Sequence, residues 1–335
     1  MNKTALIIGA NGQDASYMAE LLIEKGYVVH GTIRRNSVPE SQTTRIEHLR
    51  SQDLITLHYM DLTDSISVES IISELKPDEI YHLAAQSHVQ ISFELSKYTL
   101  DVNAGGTLAV LEAVRKFSPK SKVYHAATSE MFGNSFDDDK FQRETTPLKP
   151  VSPYGCSKLY AHSLCHNYRN AYNMFICSGI LFNHESPRRG INFVTNKVVF
   201  EAVKIKLGLS NELVLGNLNA KRDWGHAKDY VKGMWLMLQQ EKPDDYVLAT
   251  GETRSVYELV EYVFNKLDLD INKYVKTDTK FERAEELHYL KGDATKARTI
   301  LNWEPEYTFE TMLDEMINYW LNKLEDKKNI LWVEF

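Results

Sequence analysis

Residues 4–33 read TALIIGANGQDASYMAELLIEKGYVVHGTI, and their pattern decides the fold. Thr4–Ile8 is a short apolar run closed by glycine, which predicts a buried strand. Ser16–Lys25 carries helical periodicity, and Gly26 just beyond it is a C-terminal stop. Tyr27–Ile33 is rich in β-branched residues and predicts a second strand. Strand, glycine turn, helix and strand make a right-handed βαβ unit with parallel strands. The turn has the spacing G-x-x-G-x-x-A, with Ala15 where a third glycine is usual. A methyl there is compatible with helix–strand packing. Gly9 and Gly12 let backbone N–H groups approach a pyrophosphate, and the helix N-terminus adds roughly half a positive charge. A plain structural turn would use the same glycines, so the turn alone decides nothing.

The alternation continues outward from this unit. Further strands are expected at Ile55–Tyr59, Ile80–Ala84, Val123–Ala127 and Tyr246–Ala249, with helical stretches between the earlier ones. This predicts an α/β chain of Rossmann type, a doubly wound parallel sheet covered on both faces. Beyond Phe182 the strict alternation loosens. Ser255–Leu267 and Phe309–Leu324 read as amphipathic helices of a smaller, partly interleaved C-terminal substrate domain. The expected division is 1–182 with 223–252 for the nucleotide-binding domain, and 183–222 with 253–335 for the second.

Composition narrows the function classes. The chain of 335 residues is 43% hydrophobic and 25% charged, the balance of a soluble protein with a sizeable core. Its net charge of −7 argues against general nucleic-acid binding. Three cysteines (Cys156, Cys165, Cys177) with no CxxC pair suit buried reduced thiols, and no metal site is expected. The apolar start TALIIGA is too short for a signal peptide, and no run approaches the ~20 residues of a membrane span. A cytoplasmic location is therefore expected, with no membrane partner.

The end of the second strand bears on the cofactor. A site for NAD would carry Asp or Glu there to hold the ribose 2′-hydroxyl. The chain instead has Arg34-Arg35-Asn36-Ser37, whose guanidinium forks suit a 2′-phosphate, so NADP is expected. An exposed basic turn would account equally well for the arginines alone. Further on, VSPYGCSK (151–158) predicts a helix start with Ser152 as N-cap and Pro153 at its first position. Tyr154 and Lys158 then stand one turn apart on one face. A free tyrosine is on the order of 0.1% phenolate at pH 7, and a neighbouring ammonium favours the phenolate. Such a tyrosine can take the proton of a sugar hydroxyl while hydride leaves the same carbon. The pair occurs by chance in many helices, and gains weight only downstream of the glycine turn and HAATSEMFG (125–133), with Thr128, Ser129 and Glu130.

These motifs together resemble the extended short-chain dehydrogenase/reductase superfamily, and within it the GDP-mannose 4,6-dehydratase family. The stretches that carry the likeness are GANGQDASYMAELLIEKGY, HGTIRRNS, YHLAAQSHVQISFE, TSEMFG, SPYGCSK, GILFNHESPRRG and LGNLNAKRDWGHAKDYVKGMWLMLQQ. They span roughly residues 3 to 320. The resemblance implies that Gly9, Gly12, Gln13 and Asp14 hold the pyrophosphate, and Arg34 and Ser37 the 2′-phosphate. It implies that Asp61 and Leu62 flank the adenine, and that Leu83, Ala84, Ala85, Gln86, Ser87 and Tyr98 line the nicotinamide side with Lys158, His184 and Arg189. For GDP-mannose it implies contacts from Ser87, Asn183, Lys197, Arg222, Arg283 and Glu286. Arg283-Ala284-Glu285-Glu286 departs from the family's R-P-A-E pattern. The resemblance also implies a homodimer or homotetramer.

A glutamate beside the threonine separates dehydration from simpler chemistry. Epimerisation at carbon 4 needs only Ser/Thr, Tyr and Lys. A 4,6-dehydratase must also remove the carbon 5 proton and protonate the departing carbon 6 hydroxyl. One buried carboxylate can do both. Glu130, two residues after Thr128, would face the same side if the strand extends that far. The rival readings are a 4-epimerase, a dehydratase for dTDP- or UDP-sugars, and a non-catalytic NADP-sensing protein. The first would not need Glu130, a dehydratase acting on dTDP-glucose is expected to carry T-D-E, and the last is expected to lose the Tyr–Lys pair.

Overall fold

In the computed structural model, residues 2–37, 43–281 and 285–331 are described, with side chains through 325. Strand β1 (Thr4–Ile8) runs through the glycine turn into helix α1 (Gln13–Glu24), and β2 (Val28–Ile33) returns parallel to β1. The helix begins earlier than the expected Ser16. Extended Gly12 is its N-cap, which draws Gln13 and Asp14 into the first turn. Gly26 closes the unit at φ +80°, a left-handed conformation that glycine adopts without strain.

Five more strands join them: β3 (Thr56–Tyr59), β4 (Glu79–His82), β5 (Lys122–Ala126), β6 (Ile176–Leu181) and a last strand, Asp245–Leu248. All pair in parallel, in the order Asp245–Leu248, β6, β5, β4, β1, β2, β3. The order reverses between β1 and β4. A crevice opens at the carboxyl ends of the strands at such a switch point. Gly9 stands there at φ +91°, and a Cβ on it would lie 2.8 Å from the Ala84 Cβ. Only a residue without a side chain lets the two strand ends approach so closely.

Each face of the sheet is covered, as the two-sided apolar strands require. On one face α1 and the helix Ala227–Leu238 pack over Ala5, Ile7, Tyr81 and Tyr124. On the other, the helices Ser65–Leu75, Gly106–Phe117 and Pro153–Tyr172 cover Leu6, Ile8, Ile80, Val123 and Ile176. A separate apolar core forms where the helices Val194–Lys206, Val256–Lys266 and Phe309–Leu331 meet, around Val199, Leu213, Leu259, Phe264, Met312 and Met316. The parallel pair Asn183–Glu185 with Trp224–His226 connects this lobe to the sheet. Beside it, buried Asp223 accepts hydrogen bonds from Thr250 N, Thr250 Oγ1, Gly251 N and Gly292 N. Burial pushes its carboxyl up to about 6, although these four donors oppose the rise.

Candidate active site

One cavity of about 1170 Å³ occupies the crevice between the sheet and the second lobe. Its floor is the glycine turn: Gly9, Gly12, Gln13 and Asp14 all line it. Asp14 is part of a largely buried network that joins residues far apart in the chain. Its Oδ2 accepts from His184 Nε2 at 2.8 Å, and His184 Nδ1 lies 2.7 Å from the Phe182 carbonyl. Both ring nitrogens face acceptors, so the ring is held as imidazolium. Burial acts to lower the His184 pKa, but the Asp14 carboxylate outweighs it and the net shift is upward. Burial likewise acts to raise Asp14, and His184 reverses the direction to a net fall. Gln13 completes the group, donating to Asp14 Oδ1 and the His184 carbonyl, and accepting from Ser186 Oγ.

At the far end of the crevice, Arg34 emerges exposed from β2 and its Nη1 donates to the Tyr98 hydroxyl. Both line the cavity, together with Asp61 and Leu62. Asp61 Oδ1 accepts from the Thr63 backbone and hydroxyl at 2.9 and 2.8 Å, which fixes the turn after β3. Leu83, Ala84, Ala85 and Ser87 line the wall above β4. Ser37 and Gln86 do not line it. The Gln86 side chain is turned into its own loop, where Nε2 donates to His88 O and Thr99 Oγ1, and Oε1 accepts from His88 N. The cavity therefore lends no support to a cofactor contact by either residue's side chain.

Thr128, Glu130, Tyr154 and Lys158 converge on the middle of the crevice. The helix carrying the last two begins as the sequence predicts. Ser152 is its N-cap, accepting from Gly155 N at 3.0 Å, with Pro153 at the first helical position. The strand expected at Val123–Ala127 does not extend to Glu130, so the condition on which strand periodicity would face Glu130 with Thr128 is not met. The strand ends at Ala126, and Ser129–Phe132 form a 3₁₀ turn capped by Thr128 Oγ1, which accepts from Glu130 N at 3.2 Å. Gly133 ends the turn at φ +58°, and a Cβ there would fall 1.8 Å from the Lys149 carbonyl oxygen. Thr128 and Glu130 thus both reach the cavity through a tight turn, with each only 8% exposed. A solvated loop glutamate would stand far more open.

Burial sets the electrostatics of the pair on the helix. It pushes the Tyr154 phenol up to about 12, although a hydrogen bond from Thr128 pulls the other way. It also lowers the Lys158 ammonium to about 8. Lys158 Nζ donates to the Ala126 carbonyl at 2.9 Å, at the end of β5. A preceding π-helical turn, Asp101–Gly105, turns Asn103 inward, where Nδ2 donates to Gln86 O and Ser157 Oγ. This bond ties the nucleotide-side loop to the helix of Tyr154. Nothing but the glycine pair at 105–106 hints at it in the sequence.

On the side of the second lobe the cavity is lined by Asn183, Glu185, Arg189, Lys197, Arg222 and Glu286. Arg222 Nη2 lies 3.2 Å from Glu286 Oε1, and its Nη1 donates to the Lys221 and Leu287 carbonyls. Lys197 Nζ donates to Val214 O at 2.7 Å and sits 4.1 Å from the centre of the Phe281 ring. Arg283 lies outside the described residues. Glu185 was not singled out from the sequence, though it lies inside the NHESPRRG stretch. It is 1% exposed, and its Oε2 lies 3.0 Å from Arg189 Nε. Burial raises its pKa against the lowering influence of Arg189.

A family profile described as GDP-mannose 4,6 dehydratase matches residues 6–316. The chain belongs to this family. It is 51% identical to GDP-mannose 4,6 dehydratase 2 of Arabidopsis thaliana, over 94% of this chain and 86% of that protein. To the human GDP-mannose 4,6 dehydratase it is 49% identical, over 94% and 90%. Among solved structures, dTDP-glucose 4,6-dehydratase of Bacillus anthracis in complex with NAD superposes with a TM-score of 0.82 at 22% identity, covering 96% of this chain and 98% of the other. At that identity the likeness establishes the shared Rossmann-type fold alone. Among the described residues no helix is long and apolar enough to cross a membrane, and no three potential metal ligands cluster.

Proposed function

We propose that the protein removes water from GDP-mannose, giving GDP-4-keto-6-deoxymannose, with NADP held in the crevice as an internal hydride carrier. The observation that carries the proposal is Glu130, a nearly buried carboxylate that shares the cavity with Thr128, Tyr154 and Lys158. A dinucleotide fits the opposite wall, where the side-chain-free Gly9 and the N-terminus of α1 leave room and partial positive charge for a pyrophosphate. Arg34, with no carboxylate beside it at the end of β2, favours a 2′-phosphate. Bound there, NADP supplies the hydride chemistry, accepting from carbon 4 and returning to carbon 6.

The chain's own groups move the protons. Tyr154, as phenolate, takes the carbon 4 hydroxyl proton while Thr128 holds that oxygen. Lys158 works toward the phenolate by its charge, against the burial that holds the Tyr154 phenol up at about 12. The resulting ketone acidifies the carbon 5 proton, which Glu130 removes. Glu130 then gives a proton to the carbon 6 hydroxyl, and water leaves. Carbon 5 finally regains a proton, so no hydrogen is gained or lost beyond the water. Arg222, Lys197 and Glu286 line the lobe side, where cations meet the diphosphate of the substrate. Self-association as a homodimer or homotetramer is proposed on the family membership. Incubation with GDP-mannose and catalytic NADP tests the proposal. The expected product has lost one water without net cofactor reduction. Inertness toward GDP-mannose, with turnover of another nucleotide sugar, overturns it.

A further inference from the structure

Behind Lys158 lies a row of imidazoles that the mechanism above does not use. The parallel register sets His82 of β4 beside His125 of β5, and His125 beside Ser178 of β6, so all three project from one face of the sheet. That face is covered by the helix Pro153–Tyr172, on which Lys158, His162, Cys165 and Arg169 follow at helical spacing. His82 and His125 are 3% and 1% exposed, and their ring centres are 5.6 Å apart. His82 Nε2 bonds Thr107 Oγ1 at 3.1 Å. His82 Nδ1, both nitrogens of His125 and His162 Nδ1 are buried with no hydrogen-bond partner among the described residues. Four such nitrogens in one layer are out of keeping with a protein interior, where buried polar atoms pair with protein or with ordered water. A dry apolar layer would have been built from aliphatic side chains, as it is two residues earlier at Ile80, Val123 and Ile176.

The row has an inner and an outer end. Inside, Lys158 donates to the carbonyl of Ala126, the residue next to His125. Outside, His162 Nε2 lies 3.9 Å from Asp245 Oδ2, both side chains being partly exposed, and Asp245 is held by Arg169 and by Ser178 N. We propose that His82, His125 and His162, joined by buried water, form a proton path from Lys158 to the surface at Asp245. This rests on the dehydratase reading, in which Tyr154 must lose the proton it takes from the carbon 4 hydroxyl before it can act again.

The transfer balances. The Tyr154 O–H bond breaks and its proton passes to Lys158 Nζ, as one Lys158 N–H proton passes to water of the layer. The ammonium keeps its charge. Each imidazole takes a proton on one nitrogen and releases one from the other, so no buried imidazolium accumulates. That agrees with burial holding His82 down to about 3 and His125 well below the ordinary histidine value, with Lys158 acting in the same direction. One proton leaves by this path after carbon 4 is oxidised, and one returns when carbon 5 is protonated. Apart from Lys158 at the inner end, the titratable and charged groups in the layer and at its outer end include Cys165, His166, Arg169 and Asp245.

Two variants and one structure test the path. His125→Leu closes it in the middle, and His162→Ala opens its outer end without touching the core. Both are expected to lower kcat about tenfold at unchanged KM for GDP-mannose, to raise the solvent deuterium isotope effect on kcat, and in His162→Ala to regain rate with added imidazole. A crystal structure of the unaltered protein is expected to show ordered water on a His125 nitrogen. Should His125→Leu fail to fold, His162→Ala decides the kinetics. Wild-type kcat and isotope effect in His162→Ala, or a dry His125, overturns the path. Inertness of the unaltered enzyme toward GDP-mannose refutes the dehydratase reading alone, and the water at His125 then decides the layer.

Discussion

The two walls of the crevice are built differently. The sheet side is fixed by its own contacts: Asp14 is locked to His184, Thr128 caps the turn that carries Glu130, and Tyr154 and Lys158 are nearly buried on a capped helix. On the other side, the residues expected to grip the substrate are engaged with one another or with the backbone. Arg222 lies against Glu286, and Lys197 against the Val214 carbonyl. The difference teaches where preorganisation belongs. Groups that stabilise developing charge act best when fixed in advance. On the proposed function Arg222 and Lys197 would meet the diphosphate of the nucleotide sugar, and in this structure they are paired internally.

The largest effect is expected from the fixed wall. Tyr154→Phe should lower kcat by about a thousandfold while cofactor binding persists, read by single-turnover reduction of the nicotinamide. Normal reduction would remove Tyr154 from the first proton transfer. Gly133→Ala strikes the turn without touching a reacting atom. Its Cβ must displace the Lys149 carbonyl at a positive φ, so a loss of about 3 kcal/mol in stability is expected from denaturant melts. A neutral result would mean that the turn is not rigid.

The open wall and the cofactor's outer end should yield less. Arg34→Ala is expected to reduce the preference for NADP over NAD by about tenfold, roughly 1.4 kcal/mol, in comparative titrations. An unchanged ratio would place the 2′-phosphate elsewhere. The smallest effect is a pH dependence on the order of 1 kcal/mol from the partly exposed Asp14–His184 pair. His184 has a raised pKa, so its share of stability is complete below about 6.5 and fades as pH rises through the folded value. Asp14 has a lowered pKa, so its share is complete above about 3.9 and fades as pH falls. The difference in melting temperature between the protein and Asp14→Asn should therefore be greatest near pH 5 and shrink toward pH 8. A flat difference would mean that the pair is not ionic.

What was legible in the sequence follows from how local each signal is. The βαβ opening, the Ser152 cap and the one-turn spacing of Tyr154 and Lys158 depend on neighbours a few residues apart, and all are present as read. The facing of Glu130 hangs on whether the strand extends, and it stops at Ala126. Its direction comes from a 3₁₀ turn fixed by Gly133 against Lys149, a contact that strand periodicity does not contain. The link of Asp14 to His184 joins residues 170 positions apart, which no local pattern encodes. The family resemblance assigns Gln86 to the nicotinamide side, and its amide is bonded within its own loop, an arrangement no local pattern encodes. The imidazole row was invisible for the same reason: three histidines on two strands and a helix become one layer only through the parallel register.

The measurement that tests the central claim most directly is a single turnover of Glu130→Gln with GDP-mannose and stoichiometric NADP. The account predicts that the reduced nicotinamide forms at close to the normal rate and persists, with no water lost from the sugar by mass. Release of a 6-deoxy product at the wild-type rate would contradict it, since dehydration would then not need the carboxylate of Glu130.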